Sequence, residues 1–314
     1  MRIVHIITSL ESGGTERNLV NFIKEDRKNN EHIVFVLKPY GFFKKELSKI
    51  VRVYTPKNYS IFSFLNFFLF LKKFCKINYN NIQLMNSWNY QANLISIFLK
   101  SKKILWHIRS SGEKIFWNYK RLFYVVVNGI FSIKADYVIF NSYKSKAQHI
   151  NFFLNKNSEV MQNGFFKKKI ISKSNKYYNS RTVNFCSISR YDYYKNQKTL
   201  INAFIKLNQK FKNWKLTLIG KDNFKILNTM IIPKEIIKKI HFVEETKKLE
   251  KYIVKSHFHI ISSLGESFPN VVGETMALGL PNIATNVGDI KYLIKNKSLI
   301  AQPENSESLY KSLV

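Results

Sequence analysis

Short apolar runs rich in β-branched residues alternate with longer amphipathic stretches along almost the whole chain. That alternation limits the fold more than any other feature. "RIVHIIT", "HIVFVL", "VRVYT", "IQLMN", "KILWHI" and "DYVIFN" read as strands in the first half. "VNFCSIS", "KLTLIG", "IHFV", "HFHIIS", "PNIAT" and "SLIAQ" read as strands in the second. Stretches with helical periodicity, such as "TERNLVNFIKEDRK" and "NQKTLINAFIKLNQKF", separate most of them. Strand–helix alternation predicts an α/β protein with parallel sheets covered by helices on both faces. The 314 residues suffice for two such domains.

The rhythm breaks at "MQNGFFKKKIISKSNKYYNSRT" (Met161 to Thr182), which is polar, basic and without a sustained period. The reading is a first domain over 1–162, a linker over 163–182 and a second domain over 183–314. In facing doubly wound domains, ligands bind at the carboxyl ends of the strands. The terminal "NSESLYKSLV" reads as a helix capped by Asn305 or Ser306 that stops after little more than two turns. The expectation is a second domain shortened at its C-terminus.

Charge and cysteine usage narrow the class. Lys and Arg number 51 against 20 Asp and Glu, a net charge of +31. Compositional drift toward Lys, Asn, Ile, Phe and Tyr explains this as well as an anionic partner does. No helix-turn-helix, zinc-finger or RNA-binding signature accompanies the charge, so nucleic acid is not expected as a partner. Cys75 and Cys186 lie far apart without a partner pattern, which argues against disulfides and zinc and for a reducing compartment. The start "MRIVHIITSL" is too short and polar for a signal peptide. The most apolar run, Ile61 to Leu71, has 11 residues, where a bilayer span takes about 20. A cytoplasmic protein is expected. "FFLFLKKFCK" combines aromatics with lysines, which suits both an interfacial segment and a partly buried core helix.

Four stretches hold candidate chemistry. In "ESFPNVVGE", Pro269 suits a helix start and Gly279 the position after its end at Leu278. Glu266 then belongs to a loop and Glu274 to the helix, with the amides of Ser267, Phe268, Asn270 and Val271 around an anion-favouring helix start. In so apolar a segment, Glu274 faces a crevice or is an unpaired buried charge. "SISRYDYYKN" places Arg190 and Lys195 after the first strand of the second domain, a sensible clamp for a pyrophosphate. "SGGTERNLVN" is a glycine turn that brings backbone close to a ligand, or simply a tight turn between strand and helix. It is not the dinucleotide fingerprint. "LWHIRSSG" puts His107 and Arg109 at a strand end. The chain has no D-x-D tripeptide, Cys/His ligand spacing or G-x-S-x-G elbow, so no metal is expected.

With these residues in place, the chain resembles the retaining glycosyltransferases of family 4, of GT-B fold, and the similarity runs through nearly its whole length. It rests on "GGTERNLVN", "WHIR", "DYVIFNS", "QNG", "SRYDYYKN" with "LINAF", "LIGKDN" and, most specifically, "ESFPNVVGETMALGLPNIAT". The resemblance implies that Glu274 bonds the ribose of a nucleotide-sugar and that Glu266 contacts the donor sugar beside the amides of Ser267 and Phe268. Arg190 and Lys195 would hold the diphosphate as it leaves. Gly14 would bring backbone to the phosphates, His107 would contact the transferred sugar, and Gly220 would lie near the base. The segment "EETKKLEKY" departs from the family, where a glycine is more usual.

The function this implies is metal-independent, retaining transfer of a hexose or N-acetylhexosamine from a UDP-sugar, with no cofactor beyond the donor. The acceptor would be a lipid-linked, lipopolysaccharide or capsular glycan at the anionic inner face of the plasma membrane. The alternative is a truncated or non-catalytic GT-B protein that binds a nucleotide-sugar without turnover.

Overall fold

Each predicted strand run is bounded by turn residues, and its apolar side chains have two faces to fill because successive residues point to opposite sides of a sheet. The computed structural model describes residues 1–111, 119–165, 181–246 and 248–314. Most of the expected linker (166–180) and Lys247 of "EETKKLEKY" lie outside the described residues. The chain divides into two units, Met1–Asn163 and Gly164–Val314.

The strands of the first unit are β1 (Arg2–Ile7), β2 (Glu31–Val36), β3 (Arg52–Tyr54), β4 (Leu84–Trp88), β5 (Ile104–Ile108), β6 (Tyr137–Phe140) and β7 (Ser158–Val160). They form one sheet in the order β3-β2-β1-β4-β5-β6-β7, with every pairing parallel. Helices α1 (Gly14–Asp26), α2 (Lys44–Leu47), α3 (Ile61–Ile77), α4 (Tyr90–Ser96), α5 (Tyr119–Phe131) and α6 (Tyr143–His149) connect them. The period of two sorts the core. Val4, Ile6, Ile33 and Phe35 pack with Phe67, Leu71 and Cys75 of α3. Ile7, Val34 and Val36 turn the other way, onto Leu19, Val20 and Ile23 of α1. Both faces are therefore buried, as a parallel sheet requires.

The second unit repeats the plan. Strands β8 (Val183–Ile188), β9 (Trp214–Ile219), β10 (Ile240–Val243), β11 (Phe258–Ile261), β12 (Asn282–Thr285) and β13 (Ile300–Ala301) run β10-β9-β8-β11-β12-β13, again all parallel. Its helices are α7 (Gln197–Lys210), α8 (Lys234–Ile237), α9 (Glu250–Ile253), α10 (Asn270–Ala277), α11 (Ile290–Leu293) and α12 (Ser306–Leu313). On one face Phe185, Leu216 and Ile260 meet Leu200, Phe204 and Leu207 of α7, together with Leu309 of α12. On the other, Cys186 and Ile219 meet Ile253 and Leu280. Asn305 caps α12, accepting from the Ser308 amide. Both cysteines are buried, and neither forms a disulfide among the described residues.

In each unit the strand order reverses between two strands, β1 and β4 in the first and β8 and β11 in the second. Loops leave these neighbouring strands in opposite directions, which opens a crevice at their carboxyl ends. None of the helices among the described residues is long and apolar enough to cross a membrane.

Candidate functional site

In the second unit, the loops after β8 and β11 meet at the point of reversal. Backbone and side-chain bonds join them: the Leu264 amide donates to the Tyr194 carbonyl at 2.8 Å, and Ser262 Oγ to the Lys195 carbonyl at 2.9 Å. Thr285 Oγ1 holds the Ser263 carbonyl from β12 at 2.7 Å. Gly288 presses on the same loop, and a Cβ there would come within 2.6 Å of the Glu266 carbonyl oxygen. The loop carrying Glu266 is therefore fixed from three sides.

On this frame Lys195 Nζ pairs with Glu266 Oε1 at 2.5 Å, and Ser263 Oγ donates to the same oxygen at 2.9 Å. Both charged side chains remain partly open, 29% and 17% exposed. An ammonium and a carboxylate already in contact form a polar centre that exchanges partners when a ligand arrives. Arg190 sits apart from this pair. Its guanidinium donates to Asp192 Oδ2 from Nε at 3.1 Å and Nη2 at 3.0 Å, while Asp192 Oδ1 accepts from the Tyr194 amide. Asp192 thus holds both the turn and the arginine, a role that sequence reading missed.

Gly220 ends β9 with φ at +140°. A Cβ there would stand 2.3 Å from the Ser189 carbonyl oxygen, so the turn passes directly against the base of the Arg190 loop. Asn223 fastens the two, donating to the carbonyls of Ser189 at 2.8 Å and Gly220 at 3.1 Å.

Helix α10 begins at Asn270 with Pro269 as its cap residue, which supplies no side-chain hydrogen bond to the first turn. It ends before Gly279, whose φ is +77°. Glu274 is half-buried and partnered, so the alternative of an unpaired buried charge does not apply. The helix is not wholly buried, since Met276 stands 43% exposed. Ser267 and Phe268 are buried at its entry. Phe165, a residue expected in the linker, stacks on Phe268 at 6.0 Å and lies where a Cβ at position 273 would fall.

Beneath the reversal point, His259 Nδ1 donates to Asn282 Oδ1 at 2.6 Å and its Nε2 accepts from the Ile188 amide. Thr275 of α10 donates to the same Asn282 oxygen at 2.8 Å. Burial pushes the His259 pKa down to about 4, against a smaller opposing contribution from Asn282. The ring is therefore neutral at physiological pH, with the single donor and single acceptor this arrangement uses.

In the first unit, Gly14 opens α1 after Gly13, whose φ of −153° is extended. The glycine pair therefore needs no left-handed backbone. The Glu16 carboxylate folds back over Gly13 and accepts from Ser9 Oγ at 3.1 Å. A carboxylate from the chain itself thus occupies the start of α1. His107 is buried and stacked on Trp88, 4.3 Å between centroids with the two rings nearly parallel. Burial first, and Arg109 second, push its pKa down to about 3. It is a neutral ring at any pH near 7, and neither nitrogen has a hydrogen-bond partner among the described residues. Arg109 lies with its guanidinium 5.1 Å from the centre of the Trp88 ring and bonds Asn163.

Comparison with known proteins agrees with this architecture. Residues 167–313 match the family model described as Glycosyl transferases group 1. An uncharacterized glycosyltransferase of Haemophilus influenzae is 28% identical over 127 residues, 38% of this chain and 35% of that protein. Another, from Methanocaldococcus jannaschii, is 31% identical over 103 residues, 32% of this chain and 25% of its own. The matched segments thus span about a third or less of these curated relatives. The crystal structure of Anabaena Alr3699/HepE in complex with UDP and glucose superposes with a TM-score of 0.79 at 21% identity, covering 99% of this chain and 88% of that one. The lipopolysaccharide outer core galactosyltransferase WaaB superposes at 0.74 with 17% identity, covering 100% and 89%.

The fold is GT-B. The segment that matches the Glycosyl transferases group 1 model lies within the second unit.

Proposed function

We propose that the protein is a retaining, metal-independent glycosyltransferase that moves a hexose or N-acetylhexosamine from a UDP-sugar to a lipid-linked, lipopolysaccharide or capsular glycan. The observation that carries this reading is the Lys195–Glu266 pair at the strand reversal, beside the start of α10 and its half-buried Glu274. Protein structures of the same fold that hold UDP and glucose or UDP-glucose support the donor class. In this proposal Glu274 bonds the ribose, and the amides of Ser267, Phe268, Asn270 and Val271 line the phosphate position. Gly220 leaves room near the base.

The proposed chemistry is charge neutralisation. As the bond from the anomeric carbon to the diphosphate oxygen breaks, negative charge grows on that oxygen, and a preorganised cation stabilises it without rearrangement of solvent. Lys195 moves its contact from Glu266 to the phosphate, and Arg190 moves from Asp192. Glu266, released, accepts from the sugar hydroxyls. The acceptor oxygen bonds the anomeric carbon on the face the diphosphate leaves, and its proton passes to the departing phosphate oxygen.

Peripheral attachment to the inner membrane face, and with it a cytoplasmic location, belongs to the same proposal. Helix α3 exposes Ile61, Phe62, Leu65 and Leu69, with Lys72, Lys73 and Lys76 exposed toward its C-terminal end. Exposed apolar side chains with lysines suit an anionic lipid surface.

A panel of nucleotide-sugars followed by NMR tests the reading. One UDP-sugar should be hydrolysed slowly and transferred to a glycan acceptor with the anomeric configuration kept, and Glu274→Ala should abolish both. Donor binding without hydrolysis or transfer would favour the non-catalytic alternative, and inversion of configuration would contradict the mechanism.

A further inference from the structure

The first unit has its own crevice at its own strand reversal. Thr8 and Ser9 follow β1, Asn89 and Tyr90 follow β4, and Arg109 and Ser110 follow β5; with Lys120, Arg121 and Tyr124 of α5 and Glu16 of α1 they line a pocket of about 430 Å³. Asn89 holds a left-handed backbone, φ +74°, of the kind that costs energy and persists where the surrounding structure imposes it.

The lining is cationic and rich in hydroxyls. Arg109, Lys120 and Arg121 stand against one carboxylate, Glu16. Burial raises the Glu16 pKa while Arg109 opposes the rise. Burial lowers that of Arg109 to about 10, which leaves it charged at neutral pH. Arg109 Nε is buried without a hydrogen-bond partner among the described residues, a donor with desolvation cost and no return until a ligand supplies an acceptor. Ser110 Oγ donates to Tyr90 Oη at 2.8 Å, and Tyr90 Oη bonds His149 Nε2 at 2.6 Å. The tyrosine is thereby fixed at the wall.

We infer that this pocket binds a sugar carrying an oxyanion, a phosphate or a carboxylate, with Arg109, Lys120 and Arg121 on the anion and the hydroxyls and Asn89 on the ring. Resting on the glycosyltransferase reading, the inference makes the acceptor an acidic or phosphorylated glycan. The three cations of the lining face a single carboxylate, Glu16, so the pocket favours an anionic glycan over a neutral one.

The test measures binding of glucose 1-phosphate, glucuronate and glucose by ligand-observed NMR, with and without saturating UDP. Three proteins are compared: wild type, Lys120→Gln/Arg121→Gln, and the charge-matched control Lys28→Gln/Lys45→Gln on exposed positions. At least one of the two anionic sugars should bind tenfold or more tightly than glucose, and which one does so distinguishes phosphate from carboxylate. The pocket variant should lose the preference and the control should keep it. Equal binding of glucose, or a preference that survives in the pocket variant, overturns the inference. UDP binding in the same samples reads the donor proposal separately, so either result can fail alone.

Discussion

Gly220 shows how much one residue type decides. Its φ of +140° and the Ser189 carbonyl 2.3 Å from any added Cβ exclude every other side chain from the unaltered backbone. Gly220→Ala should destabilise the second unit by about 1–3 kcal/mol, read as a lowered urea midpoint, and should weaken UDP binding because the Arg190 loop must shift. An unchanged midpoint would show that the turn relaxes freely. At Glu266 the prediction is about rate. Glu266→Gln keeps the shape but removes the negative charge facing Lys195, so turnover should fall by about a hundredfold with UDP affinity within a few-fold of wild type. Loss of UDP affinity instead would give Glu266 a different role. Pro269 and Gly279 made the loop and helix of this stretch legible in sequence, because each has a fixed backbone meaning that divides the two glutamates between them. Asp192 on Arg190, Asn223 under Gly220 and Phe165 on Phe268 were not legible. Each acts through a partner that only the fold brings near, and an Asp, Asn or Phe alone carries no such signal.

Among the elements, α3 carries the most testable consequence. It buries Phe67, Leu71 and Cys75 and leaves Phe62 75% and Leu69 61% exposed. The core-helix reading of "FFLFLKKFCK" thus holds for the buried face, and the interfacial reading is the proposal for the exposed one. Phe62→Ser/Leu69→Ser should reduce sedimentation with anionic liposomes at least several-fold with no loss of thermal stability, and high salt should weaken the binding of wild type. Equal binding to neutral and anionic lipid would contradict the membrane proposal. All twelve strands read from the sequence are present because β-branched runs between turns have few other solutions. Strand β4 runs on to Trp88, past the predicted "IQLMN", and there pairs with His107. Strand β7 was missed, since two of its three residues, Ser158 and Glu159, are polar or charged and it occupies a sheet edge.

For the whole molecule, buried histidines set the response to acid. Burial drives His107 to about 3 and His149 and His259 to about 4. In the unfolded chain each returns near 6.5 and binds a proton that the folded state refuses. Their contribution is fully present above about pH 6.5 and is lost as pH falls through the window between 6.5 and 4. Each fully engaged group removes about 1.4 kcal/mol per pH unit. Urea midpoints should therefore fall steeply between pH 6 and 4, and a flat profile would show that these rings are protonated in the fold. Doubly wound topology was legible from alternation alone, and it predicts a crevice in each unit. The function proposed for those crevices rests on the donor site proposed in the second unit. Thermal unfolding with and without UDP tests that claim most directly. Saturating UDP should raise the midpoint of the wild-type protein by several degrees, and Glu274→Ala should abolish the rise. An equal rise in both proteins, or none in either, would contradict the donor site.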